Sequence, residues 1–170
     1  RDLVRSRGLG DVYKRQEVAR VATALGCEVR YTSTSGVARR EEYPALPLAE
    51  LLGWADVVSV HAPLNERTRG LIGERELRMM KPSALLINVA RGGIVDEAAL
   101  ARALDEEVIA GAAIDVFTRE PIAADNPLLA VKDPDRLLLS PHNAWSPAEA
   151  IDALIGLVAE NITNFMEKNK

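Results

Sequence analysis

The sequence predicts an α/β fold built on a parallel sheet. Short apolar runs of strand length, residues 55–60, 84–88, 109–115 and 137–139, alternate with segments of helical spacing. The runs are apolar almost throughout, with little period-two alternation, which is the pattern of strands covered by helices on both faces. Crossovers between such strands are right-handed, which makes the domain doubly wound and Rossmann-like.

Each element has its own signal. Residues 17–25 have helical spacing, and Gly26 ends that helix. Residues 27–31 form a short strand, and 32–47 are polar with scattered Gly and Pro, so a loop. Residues 48–53 form a short helix, followed by the strand at 55–60. A helix over 74–80 stops before Pro82, because the residue preceding a proline disfavours helical geometry. After the strand at 84–88, Asp96 caps a helix of good formers running to about residue 107. The strand at 109–115 is rich in small residues, 118–135 is a long loop, and 137–139 is a short strand. Pro147 sits in the first turn of a last helix, which reaches about residue 166.

The opening of the chain departs from this pattern. A Rossmann domain begins with a strand, a Gly-x-Gly-x-x-Gly turn and a helix. Gly8-Leu9-Gly10 resembles the start of that turn, but Tyr13 stands where the third glycine belongs, and no apolar strand comes before it. Residues 1–16, with Arg1, Arg5, Arg7, Lys14 and Arg15, carry no apolar core of a signal peptide. They are read as a non-native or disordered leader. Residues 17–170 are read as a nucleotide-binding domain truncated at its N-terminus, its first strand and glycine loop missing or damaged.

Bulk properties narrow the function. The chain of 170 residues has 48% hydrophobic and 27% charged residues, as in an ordinary globular domain with a substantial core. A net charge of −4 argues against nucleic acid or an anionic membrane as the main partner. No apolar run approaches the ~20 residues of a membrane span. The single cysteine, Cys27, excludes an internal disulfide and fits a cytoplasmic setting; it is read as packing within its strand. Two histidines and one cysteine make a structural zinc site unexpected, and no metal is assigned.

Three chemistry-bearing residues each follow a strand. Arg91 opens the turn Arg-Gly-Gly-Ile-Val-Asp-Glu after 84–88, Glu120 follows 109–115, and His142 follows 137–139. Ligands of open α/β sheets bind at the carboxyl ends of strands. Arginine, glutamate and histidine gathered there suit a carboxylate substrate. Imidazole titrates near working pH and is the natural proton donor, and a guanidinium fork can hold a carboxylate and polarise a neighbouring carbonyl.

The segments 56–64 (Asp-Val-Val-Ser-Val-His-Ala-Pro-Leu), 80–97 (Met-Lys-Pro-Ser-Ala-Leu-Leu-Ile-Asn-Val-Ala-Arg-Gly-Gly-Ile-Val-Asp-Glu), 111–117 (Gly-Ala-Ala-Ile-Asp-Val-Phe), Glu120-Pro121, 126–129 (Asn-Pro-Leu-Leu) and 141–145 (Pro-His-Asn-Ala-Trp) are recognisable as a set. From about residue 17 onward the chain resembles the NAD-binding domain of the D-isomer-specific 2-hydroxyacid dehydrogenases. Ala144-Trp145 and the stretch Thr32-Ser-Thr-Ser-Gly36 resemble the glycerate dehydrogenase, or hydroxypyruvate reductase, branch.

The resemblance implies an oxidoreductase that moves a hydride between a nicotinamide cofactor and a 2-keto/D-2-hydroxy acid, either hydroxypyruvate/D-glycerate or glyoxylate/glycolate. It implies Arg91, Glu120 and His142 as the catalytic residues, with Glu120 orienting the imidazole. Cofactor contacts are expected at Thr32, His61, Ala62, Pro63, Val89, Ala90, Arg91, Asp115, His142 and Ala144, Asp115 meeting the nicotinamide carboxamide. Trp145 is expected to close the pocket. The resemblance also implies a parent protein about twice this length, homodimeric, whose substrate domain precedes residue 17 and receives the helix at 147–166. The chain alone is then expected to be inactive. Thr32 and Ser33 stand where an acid would bind the adenosine ribose, with Arg39 and Arg40 nearby, so NAD and NADP both stay open, NAD being preferred. Other open readings are another branch of the family, of D-lactate, phosphoglycerate or formate type, and a non-catalytic, NAD-regulated protein similar to the C-terminal-binding-protein corepressors. Trp145 and the lack of an appended regulatory domain speak against the phosphoglycerate branch, and Glu120 against the formate branch.

Overall fold

The computed structural model describes residues 9–34 and 42–168. Its sheet has four parallel strands in chain order, β1 (Val57–Val60), β2 (Leu85–Asn88), β3 (Gly111–Ile114) and β4 (Leu137–Leu139). Val60 is in register with Asn88, Asn88 with Ile114, and Ile114 with Leu139, so the carboxyl ends form one level edge. The ladder continues one step past the strands. Asp115 N–H donates to Asn88 O, and Ser140 N–H to Ile114 O, each at 3.0 Å. Sheet geometry thus fixes the first residues beyond each strand, where the polar groups lie.

Five helices accompany the sheet among the described residues: α1 (Leu9–Ala24), α2 (Leu48–Trp54), α3 (Glu74–Leu77), α4 (Glu97–Asp105) and α5 (Ala148–Lys168). Val58, Val60, Leu86, Ala112 and Ile114 point to one face and share a core with Leu52 of α2, Leu77 of α3, and Leu100 and Leu104 of α4. These four leucines are essentially inaccessible to solvent. Each such side chain contributes about 1.5–3 kcal/mol of hydrophobic stabilisation. Asp96 caps α4 as expected, its carboxylate accepting from Ala99 N–H at 2.9 Å. A cap of this kind is worth about 1 kcal/mol.

Several expectations need correction. The sheet is covered on one face only among the described residues; Val57, Leu85 and Leu138 on the other face are exposed. No strand forms over residues 27–30, and Tyr31 makes only an isolated parallel bridge to Ala45. A strand must share its main-chain groups with a neighbour, and β1, the sheet's edge on that side, pairs only with β2 among the described strands. The place for a further strand therefore lies beside β1; β2 already has both neighbours. Cys27, outside any strand, is exposed and does not pack.

Helix α1 begins at Leu9, eight residues before the expected start, and Gly10 and Tyr13 are part of it. A helix satisfies its main-chain groups internally, and the half glycine motif makes no turn at these positions. Gly8, Gly36, Arg39 and Arg40 lie outside the described residues. Gly26 closes α1 with φ +86°, as its position predicts. α3 is shorter than the expected 74–80, and the loop 118–135 contains two 3₁₀ turns, Pro127–Ala130 and Pro134–Arg136, each entered through a proline and capped by Asn126 or Asp133. None of the described helices is long and apolar enough to cross a membrane.

Candidate active site

The site is built at the ends of β2, β3 and β4. β2 ends in Asn88, 2% exposed, whose side chain shapes the turn that follows. Its amide Nδ2 donates to Arg91 O and its Oδ1 accepts from Ala90 N–H, both at 3.1 Å. This folds the chain back and leaves the Arg91 side chain exposed. No carboxylate pairs with Arg91 among the described residues; one Nη1 hydrogen returns to Ala90 O at 2.6 Å. The turn lies flat against the chain leaving β3. A Cβ on Gly92 would stand 1.9 Å from Phe117 O, so only glycine fits there. Gly93 takes φ +78°, and its carbonyl accepts from Gly70 N–H.

Glu120 and His142, 22 residues apart in sequence, meet directly, with Nδ1 of His142 2.7 Å from Oε2 of Glu120. A carboxylate only accepts, so Nδ1 carries the hydrogen and Nε2 is the ring nitrogen left for chemistry. Glu120 Oε1 accepts from Phe117 N–H at 3.0 Å. The hydrogen bond from His142, then that from Phe117, outweigh partial burial and hold the Glu120 carboxyl below the usual glutamate range. The Glu120–Pro121 peptide is cis.

His142 has φ +53°, in the left-handed region that non-glycine residues enter only when the surroundings impose it. Asp115, 2% exposed, supplies the constraint. Its Oδ1 accepts from Ser140 Oγ at 2.5 Å and Asn143 N–H at 3.0 Å, and its Oδ2 from Ala144 N–H at 3.1 Å. The loop bearing His142 is therefore clasped on both sides of the histidine. Burial alone would raise the Asp115 pKa. The Ser140 hydroxyl, the two N–H groups and the charge of His142 prevail, and it lies below the usual aspartate range. Both lowered carboxylates stabilise the folded state at neutral pH. That contribution is lost as acid titrates them through their lowered values.

The other expected site residues lie near the same edge with fewer constraints. Beyond β1, His61 Nε2 is 2.9 Å from Ser59 Oγ, and the carbonyl of Pro63 accepts from the fully buried Thr68 hydroxyl at 2.6 Å, which fixes the turn through Ala62. Val89 is 42% exposed and Ala90 half-buried. Ala144 and Trp145 are exposed, Trp145 at 57%. Thr32 is half-buried next to the Tyr31 bridge. Asn88, which shapes the Arg91 turn, and Ser140, which binds Asp115, are candidate site residues that the sequence reading missed. Their signal was a polar residue closing an apolar run, in Leu-Leu-Ile-Asn and Leu-Leu-Leu-Ser.

A family model described as D-isomer specific 2-hydroxyacid dehydrogenase, NAD binding domain, matches residues 8–144. The chain belongs to this family. It is 42% identical to a glyoxylate reductase of Korarchaeum cryptofilum over 87% of this chain and 45% of that protein. It is 42% identical to a glycerate dehydrogenase of Methylorubrum extorquens over 70% of this chain and 38% of that one. Among solved structures, the NAD-complexed D-isomer specific 2-hydroxyacid dehydrogenase of Lactobacillus delbrueckii ssp. bulgaricus superposes with a TM-score of 0.77 at 29% identity, covering 89% of this chain and 49% of that one. The chain thus spans about half the length of the relatives it matches. Within this 2-hydroxyacid dehydrogenase NAD-binding domain, the candidate residues lie at the open ends of β2–β4, and residues 10–13, where the half glycine motif falls, are helical.

Proposed function

We propose that this chain is the nucleotide-binding half of a nicotinamide-dependent D-2-hydroxyacid dehydrogenase acting on hydroxypyruvate/D-glycerate or glyoxylate/glycolate. The observation that carries the reading is the 2.7 Å contact of His142 Nδ1 with Glu120 Oε2, with the turn after β2 presenting an exposed arginine that has no carboxylate partner among the described residues. The relatives named glyoxylate reductase and glycerate dehydrogenase support the substrate pair.

In this reading His142 delivers a proton from Nε2 to the keto oxygen, and Glu120 stabilises the imidazolium and fixes its orientation. Arg91 holds the substrate carboxylate in its planar fork. When bound, the nicotinamide supplies the hydride. Val89, Ala90, Asp115 and Ala144 would flank its ring, with His61, Ala62 and Pro63 along the cleft and Thr32 toward the adenosine. Trp145 would close the pocket against a substrate domain. We assign NAD over NADP, in keeping with the NAD-complexed relative, and infer a cytoplasmic homodimer for the whole enzyme.

The test is a chimera in which residues 17–168 replace the matched segment of the Korarchaeum protein. NADH-dependent reduction of glyoxylate and hydroxypyruvate is expected, and the 170-residue chain assayed alone should turn over neither. A folded, cofactor-binding chimera without turnover would overturn the reading. In the active chimera, Arg91→Lys should raise KM for the keto acid on the order of tenfold or more, since a point charge cannot reproduce the fork. Unchanged KM and kcat would remove Arg91 from the substrate site.

A further inference from the structure

Glu97, the first residue of α4, grips both ends of the loop that carries Glu120. Its Oε1 accepts from Thr118 N–H at 2.6 Å, and its Oε2 from Asn126 Nδ2 at 2.7 Å. Asn126 is 8% exposed and firmly held, because its Oδ1 caps the following 3₁₀ turn through Leu128 N–H and its own N–H donates to Ala123 O. Between these anchors lies Glu120, two residues past Thr118. The residue before Thr118 supplies the N–H that fixes Glu120 Oε1. The chain from Gly92 into α4 also presses on Phe117 and Thr118. Hydrogen bonds to a carboxylate are roughly twice as strong as neutral ones. Glu97 spends both of its oxygens on a loop that has no ladder partner in the sheet.

We propose that Glu97 is a positioning residue, whose carboxylate fixes the 118–126 loop so that Glu120 Oε2 meets Nδ1 of His142. Only a carboxylate offers an acceptor to each donor. A glutamine would turn its NH₂ toward either Thr118 N–H or Asn126 Nδ2 and leave that donor unmet. Among the described residues, the charged groups that bear on the imidazole are Glu120 and Asp115. Asp115 holds the histidine's own loop, so Glu97 acts on the glutamate side alone. The structural part of this inference stands independently of the proposed activity; its catalytic consequence rests on that reading.

The protein contains two histidines, so ring ¹⁵N spectra of the 170-residue chain resolve them, with His142→Gln as the assignment. At a pH where both rings are neutral, His142 should be the Nδ1–H tautomer. Glu97→Ala should convert it to the Nε2–H tautomer that free imidazole favours, and the milder Glu97→Gln should do so in part. Asp96→Ala is the control, because it removes the adjacent cap of α4 without touching the loop, and should leave the tautomer as it is. In a Glu120→Ala background, which removes the acceptor altogether, Glu97→Ala should add nothing further, as expected of two residues acting through one contact. Retention of the Nδ1–H tautomer in both Glu97 variants, or its equal loss in Asp96→Ala, overturns the proposal. In the chimera, Glu97→Gln should lower kcat on the order of tenfold with KM for NADH unchanged. A chimera without turnover counts against the proposed function, while the tautomer result still decides this inference.

Discussion

Replacing His142 by alanine in the chimera lowers kcat on the order of 100-fold or more, while the NADH dissociation constant changes less than about threefold; general acid–base groups typically contribute 10²–10⁴-fold. The structure gives the reason for the split. The imidazole donates Nδ1–H to Glu120, and in the proposed reading Nε2 delivers the proton to the substrate oxygen, a step that belongs to the transition state. The loop's main chain is held by Asp115 through Ser140, Asn143 and Ala144, none of which needs the imidazole. Removing the ring therefore deletes the acid and leaves the surroundings in place. Stopped-flow reduction and a fluorescence titration of NADH measure the two halves. A kcat within about threefold of the parent would show that another group donates the proton.

Gly92→Ala has the second largest expected effect, and it reaches both stability and turnover. The added Cβ would lie 1.9 Å from Phe117 O, 2.1 Å from Phe117 C and 2.7 Å from Thr118 N. All three are main-chain atoms, and Thr118 is further pinned by Glu97. No rotamer change relieves the clash. Either the Arg91 turn or the Glu120 loop must move. Overpacking of this kind costs about 1–3 kcal/mol, and a displacement of about 1 Å at catalytic groups can cost on the order of 100-fold in rate. The denaturation midpoint should fall and kcat should drop at least tenfold. Gly156 in α5 provides the contrast, since a Cβ there meets nothing within 4 Å in this chain; in the 170-residue chain Gly156→Ala should leave the denaturation midpoint unchanged or raise it slightly. Parent-like stability and turnover in Gly92→Ala would mean that the turn does not press on the loop in solution.

The local pattern of the chain was enough to place the four strands, α2, α4 with its Asp96 cap, and the last helix after Pro147. It also set Arg91, Glu120 and His142 each just beyond an apolar run, and a parallel sheet brings such positions to one edge. Periodicity and caps depend on neighbours a few residues away, so a sequence carries them openly. Whether a strand pairs depends on what lies beside it, which is why residues 27–30 have strand-like composition and no strand.

The tertiary structure alone decided which polar groups touch. The contact of Glu120 with His142 and the grip of Glu97 on Thr118 and Asn126 span 21 to 29 residues. Asp115 reaches across to the backbone at 143 and 144, and Gly92 meets the Phe117 carbonyl. Such contacts follow from strand register, the angle at which each loop leaves its strand, and space measured in tenths of an ångström. Residue identity makes them chemically allowed; only the packed chain brings their atoms within hydrogen-bonding distance.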